Sequence, residues 1–132
     1  MKKLSLIAAA VLLTACQHPT PAPKATLNGE VFYLQRIALP PTAVLSVSLQ
    51  DISLADAPAK VIDEQRGPVK SQVPLPFKLS YDPLQVKPNH RYSVNARIEV
   101  DGKLLFITTE NHAVRLDGSD PQPLKVRVDA AR

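Results

Sequence analysis

From Thr26 onward, apolar residues recur at every second position along most of this chain. That is the period of a strand, not the 3.6-residue period of a helix. Ala43, Leu45, Val47 and Leu49 alternate with Val44, Ser46, Ser48 and Gln50. Val73, Leu75, Phe77, Leu79 and Tyr81 do the same, as do Tyr92, Val94, Ala96, Ile98 and Val100. Leu124, Val126, Val128 and Ala130 close the series. Thr26 to Leu34, Lys60 to Arg66 (the weakest) and Lys103 to Thr109 read as further strands. An apolar face backed by a polar one is what an antiparallel sheet with one wet side requires. About seven short strands separated by turns predict an all-β fold, a small antiparallel β-sandwich, over residues 26–132. Leu54 to Lys60 has room for a turn of helix, which Pro58 limits.

Two local signals sharpen this picture. Asp101-Gly102 lies between two strand runs, and Asp-Gly suits the positive φ angles of a type I′ hairpin turn. A two-residue loop places Val100 opposite Lys103, Ile98 opposite Leu105 and Ala96 opposite Ile107. Pro74 and Pro76 stand two apart in one run, so both remove an amide donor from the same side. A central strand cannot accept that, and this strand is expected at an edge with its proline side unpaired.

The first 25 residues follow another pattern. Met1-Lys2-Lys3 is a short positive segment, Leu4 to Leu13 is apolar apart from Ser5, and Leu13-Thr14-Ala15 leads into Cys16. This is the layout of an export signal, and its apolar run falls short of the roughly 20 residues a membrane span needs. The ending Leu-x-Ala-Cys resembles the bacterial lipobox. Residues 1–15 are therefore expected to be removed and Cys16, the chain's one cysteine, to carry the lipid. Two or more acyl chains anchor stably, at ~0.8 kcal/mol per buried CH₂. A single cysteine forms no internal disulfide, although the compartment is oxidising. Gln17 in place of an aspartate favours the outer membrane, facing the periplasm. Gln17 to Ala25 holds three prolines and reads as a stiff spacer of roughly 28 Å; with Cys16 it makes up residues 16–25.

Charge and candidate chemistry narrow the function. The pI of about 9.4 overstates the basicity of the mature chain. Loss of Lys2 and Lys3 lowers the formal net charge from +4, and no basic run suggests nucleic acid. His18, His90 and His112 show no metal-site spacing, and no serine sits in a nucleophile-elbow pattern. Asp51, Ser53 and Asp56, or Asp117, Ser119 and Asp120, offer oxygens that a Ca²⁺ ion could use. Neither set fits a calcium loop, and Asp and Ser are common turn formers. No catalytic, metal or cofactor site is expected, and the chain reads as non-enzymatic. Among the aromatics, Phe77, Tyr81 and Tyr92 fall on the core face, which leaves Phe32, Tyr33 and Phe106 as candidates for a sugar-binding surface.

Several segments taken together resemble a known family. They are Arg36-Ile37-Ala38-Leu39-Pro40-Pro41, Asp51-Ile52-Ser53-Leu54-Ala55-Asp56-Ala57-Pro58-Ala59, Val73-Pro74-Leu75-Pro76-Phe77, Tyr81-Asp82-Pro83, Tyr92-Ser93-Val94-Asn95-Ala96-Arg97-Ile98 and Asp101-Gly102-Lys103-Leu104-Leu105-Phe106. In this order, across about Leu27 to Leu116, they resemble the YbaY/YscW-type lipoproteins. The resemblance implies a small β-sandwich on a lipid anchor. One branch of that family, the pilotins of type III secretion, escorts the secretin, a ring-forming outer-membrane channel, to its membrane. Other members have no settled role. The resemblance implies no functional residue beyond the lipidated Cys16. The expected function is that of a lipid-anchored, protein-binding chaperone or pilotin-like assembly factor, with an envelope protein such as a secretin as client. The alternatives are a ligand- or glycan-binding envelope module and a structural envelope component.

Overall fold

The computed structural model describes residues 24–132. The export signal, Cys16, His18 and nearly all of the spacer lie outside the described residues. The expected strands form, the last of them split in two, and one short strand, β7, adds to them: β1 Ala25–Phe32, β2 Ala43–Asp51, β3 Lys60–Pro68, β4 Leu75–Tyr81, β5 Tyr92–Val100, β6 Lys103–Ile107, β7 His112–Val114, β8 Leu124–Arg127 and β9 Asp129–Ala130. A single 3-10 turn, Pro83–Gln85, interrupts them; Asp82 caps it by accepting the Leu84 amide. Leu54 to Lys60 makes turns and bends with no helix.

The strands make two sheets. The smaller runs β4–β1–β8 and the larger β3–β2–β5–β6–β9, with β7 also paired to β5. All pairings are antiparallel except β1 with β8, which is parallel. The inward residues read from the alternation meet between the sheets. Leu49, Leu79, Val94, Ile98 and Val126 are wholly or almost wholly buried. Val100 is half-buried and Ala130 exposed, because each stands where its strand runs out of the sandwich.

The sandwich is closed along both sides. On one side the chain passes from β8 in the small sheet to β9 in the large one. Val128, buried at the crossing, donates its amide to the Phe32 carbonyl at 2.9 Å. On the other side β4 is an edge strand of the small sheet and β3 an edge strand of the large one; Pro74, expected inside the strand, lies just before it, so Pro76 alone removes a donor from β4. Pro76 faces away from β1, together with the amides of Lys78 and Ser80. Those two amides are satisfied by β3 side chains: Gln65 Oε1 accepts from Lys78 at 2.8 Å and Asp63 Oδ2 from Ser80 at 2.7 Å. The side without a partner strand is thus partly covered by acceptors from the opposite sheet.

The hairpin corrects one expectation. Asp101 and Gly102 both have positive φ, as a type I′ turn needs, and Val100 pairs with Lys103. A register shift follows after Glu99 and Leu104, and Ile98 faces Phe106 in place of Leu105. A bulge sets two residues against one, so Leu105 and Phe106 both reach the core side. Phe106 is 1% exposed, and its ring stacks on that of Tyr33 with centroids 4.2 Å apart and planes 3° from parallel. Tyr33 is buried as well, and Phe32 is half-buried. The three aromatics proposed for a sugar platform therefore do not form an open one.

Candidate functional site

The β3 side chains that close the edge run out toward one end of the sandwich. Gln65 and Asp63 carry oxygen acceptors, but the next residue two positions back is Val61, which can accept nothing. Beyond Ser80, the β4 edge has no β3 partner, and the two edges separate. The opening is a groove of about 540 Å³. Its floor contains Tyr81, Tyr92 and Leu116, all buried, and its walls carry Val61, Ile62 and Leu54. Those last three are 50%, 37% and 72% exposed. Leu84, beside the groove on the 3-10 turn, is 81% exposed. Apolar side chains exposed together around a concavity mark an interaction surface more often than a bare protein surface does.

Local structure in β2 and β3 explains why Val61 and Ile62 are exposed. The β2–β3 ladder shifts register between Leu49 and Gln50, so Ile62 has no directly paired residue and adjacent apolar residues are turned outward. β3 has no fully buried residue. The weak alternation of Lys60 to Arg66 was therefore the sequence signal for the groove wall, but it reads there only as a poor strand.

One end of the groove is set by a polar cluster. Asp51, at the end of β2, accepts the Ser53 hydroxyl at 2.5 Å and the Ser53 amide at 3.0 Å on one oxygen. Its other oxygen accepts His90 Nδ1–H at 2.6 Å. The Arg91 amide donates to Ser53 Oγ at 2.7 Å, and the Ile52 amide donates to the Arg91 carbonyl. Burial alone would raise the Asp51 pKa; hydrogen bonds from Ser53 and His90 outweigh it and hold the carboxyl at about 2. The cluster staples the loop after β2 to the loop before β5. It is not a Ser–His–Asp triad, because the carboxylate lies between serine and histidine and Ser53's hydroxyl is committed to it. Tyr92 is fixed by the Lys87 amide, which donates to its hydroxyl at 2.9 Å. Burial, with Asp120 and Asp117 adding to it, raises the Tyr81 pKa, so this hydroxyl stays protonated.

The other residues singled out by sequence are placed as follows. Asp56 is exposed and does not join Asp51 and Ser53 in one cluster. Asp117 accepts the amide and hydroxyl of Ser119, and Asp120 accepts the amides of Arg115 and Leu116. Both carboxylates thus serve as turn caps. His112 lies in β7 with its Nε2 buried and unpartnered. No cluster of metal-ligating side chains occurs among the described residues.

The groove opens beside Lys24, the residue that leads into β1. Residues 22–126 match the family described as the type III secretion system lipoprotein chaperone, YscW. The chain belongs to this family. It is also 40% identical over 123 residues to the uncharacterized lipoprotein YbaY of Escherichia coli (strain K12). That match covers 77% of this chain and 65% of the relative, so the chain spans just under two thirds of the relative's length. An alternative pilotin from the type II secretion system of Vibrio cholerae has the same fold, with a TM-score of 0.72 and 47% identity. That structural match covers 83% of this chain and all of the other.

Proposed function

We propose that this family member is a lipid-anchored envelope protein that docks a client protein in the groove beside Lys24, in the manner of a pilotin. The observation that carries the reading is the placement of an apolar groove at the end of the fold where the spacer enters. The likeness to a type II secretion pilotin and to the type III secretion lipoprotein chaperones supports an envelope-protein client, in this reading a secretin-type channel. Lipid on Cys16, after removal of residues 1–15, would hold the domain at the periplasmic face of the outer membrane. Tethering raises the local concentration of a bound client there without any new contact. The protein performs no chemistry in this reading; it supplies a place and a surface.

A photo-crosslinking side chain at Val61, compared with one at Lys103 on the opposite end, tests it in living cells. The Val61 position should capture an outer-membrane channel subunit, and the Lys103 position should not. Equal capture at both positions, or none at Val61, would overturn the reading.

A further inference from the structure

The groove has a charge pattern that its apolar walls do not reveal. Lys24, Lys60 and Lys87 line it and are all exposed. The ion pairs among the described residues use His90, Lys125, Arg66, Arg97 and Arg127, and none of these three lysines. The groove's two carboxylates, Asp51 and Asp82, are half-buried and hydrogen-bonded. Asp51 is held by Ser53 and His90, and Asp82 accepts the Leu84 amide. The carboxylates keep their charge but lie recessed, while the three lysines that outnumber them stand at the surface. A concave surface whose exposed charge is mainly of one sign favours the opposite sign.

We infer that the groove selects a client segment in which apolar anchors alternate with acidic side chains, and that it discriminates against basic segments. This deepens the docking reading and rests on it. Apolar anchors would fill the space bounded by Leu54, Val61 and Ile62, and the flanking carboxylates would meet Lys24, Lys60 and Lys87. The apolar part supplies affinity, and the lysines supply choice of partner and speed of encounter, as charge at an interface rim generally does. A basic segment meets three exposed ammonium groups before it can reach the two recessed carboxylates, and this repulsion is itself a means of specificity. Lys24 ties selection to position, since it stands next to the spacer and adds its charge at the end of the groove where the chain comes from the membrane.

The test displays a random library of short peptides and selects on the full chain, expressed with its first 15 residues so that it is processed as in the cell. Peptides enriched on the wild type should combine apolar residues with an excess of Asp and Glu. Their binding should weaken as salt rises. The variant Lys24→Glu, Lys60→Glu, Lys87→Glu should bind these peptides about tenfold more weakly and should enrich basic peptides instead. A control with Lys70→Glu and Lys103→Glu at the opposite end should keep the acidic preference. Enrichment without charge bias, or a bias the triple variant does not reverse, overturns the inference yet leaves the docking reading in place. Enrichment that Val61→Asp does not diminish overturns both, since the peptides would then bind elsewhere. Equal melting temperatures of the variants and the wild type confirm that the fold is intact in each case.

Discussion

Gly29 carries a constraint that its neighbours in β1 do not share. It faces Phe77 across the β1–β4 pair, and a Cβ there would lie 2.3 Å from Phe77 Cζ and 2.6 Å from the Leu124 carbonyl oxygen. The ring could move, but the carbonyl belongs to β8, which pairs with β1 at this residue. Gly29→Ala should cost about 3 kcal/mol, as overpacking a tight core does, whereas Gly67→Ala, with open space around it, should be nearly neutral. Urea melts of both variants check this. Ile98, fully buried against Phe106, should cost ~2–5 kcal/mol when cut to alanine. Asp51 gives a pH signature. Its pKa is depressed from 3.8 to about 2 in the fold, so its stabilisation is complete above about pH 4 and is lost as pH falls through about 2. After allowance for solvent screening it is on the order of 1 kcal/mol. Stability of the wild type should therefore fall between pH 4 and pH 2 more steeply than that of Asp51→Asn. Parallel slopes would show that Asp51 gains nothing from Ser53 and His90.

Among the elements, β3 and β4 meet as the two edges that close one side of the sandwich. β4 lacks one donor because of Pro76, and two of its outward amides are covered by Asp63 and Gln65. An edge blunted in this way is a poor template for another strand. Asp63→Ala with Gln65→Ala should leave the sandwich folded, because water can reach the Lys78 amide, but should raise self-association. Sedimentation velocity of the two proteins at equal concentration checks it. A monomeric double mutant would mean that Pro76 alone protects the edge. The position of β4 at an edge was legible in Pro76, because a missing donor is a property of the residue itself; the second proline of that reading, Pro74, falls outside the strand. The acceptors that cover it were not legible, because Asp63 and Gln65 lie on another strand and look in sequence like ordinary polar alternation.

For the molecule as a whole, the closed sandwich leaves the groove end as the open side, and the spacer enters at that end. In the proposed tethering, position relative to the membrane matters as much as affinity. Cys16→Ser should move the protein from the membrane fraction to the soluble fraction while its thermal melt stays the same. Fractionation, with mass spectrometry of the wild-type N-terminus to detect an acylated cysteine, checks this. An unmodified N-terminus beginning elsewhere would remove the tether from the account. Client docking should then lose its efficiency in cells but persist with purified proteins, since the groove does not depend on the lipid.

The alternation of Ala43 to Leu49, of Leu75 to Tyr81 and of Tyr92 to Ile98 determined the strands and their buried faces, because a two-residue period assigns each side chain to a face whatever the partner strand is. Asp101-Gly102 determined the turn, because positive φ is a local property. The tertiary structure alone decided the pairing of Ile98 with Phe106, since the bulge depends on how the Phe106 ring packs on Tyr33. It also decided that β8 lies parallel to β1, and that Asp51, Ser53 and His90 form one cluster. The groove belongs to the same class. It exists because β3 runs on past Asp63 to Val61 and Lys60 while the edge it faces, β4, ends at Tyr81. A mismatch between two edges is a relation in space, and no single stretch of sequence contains it.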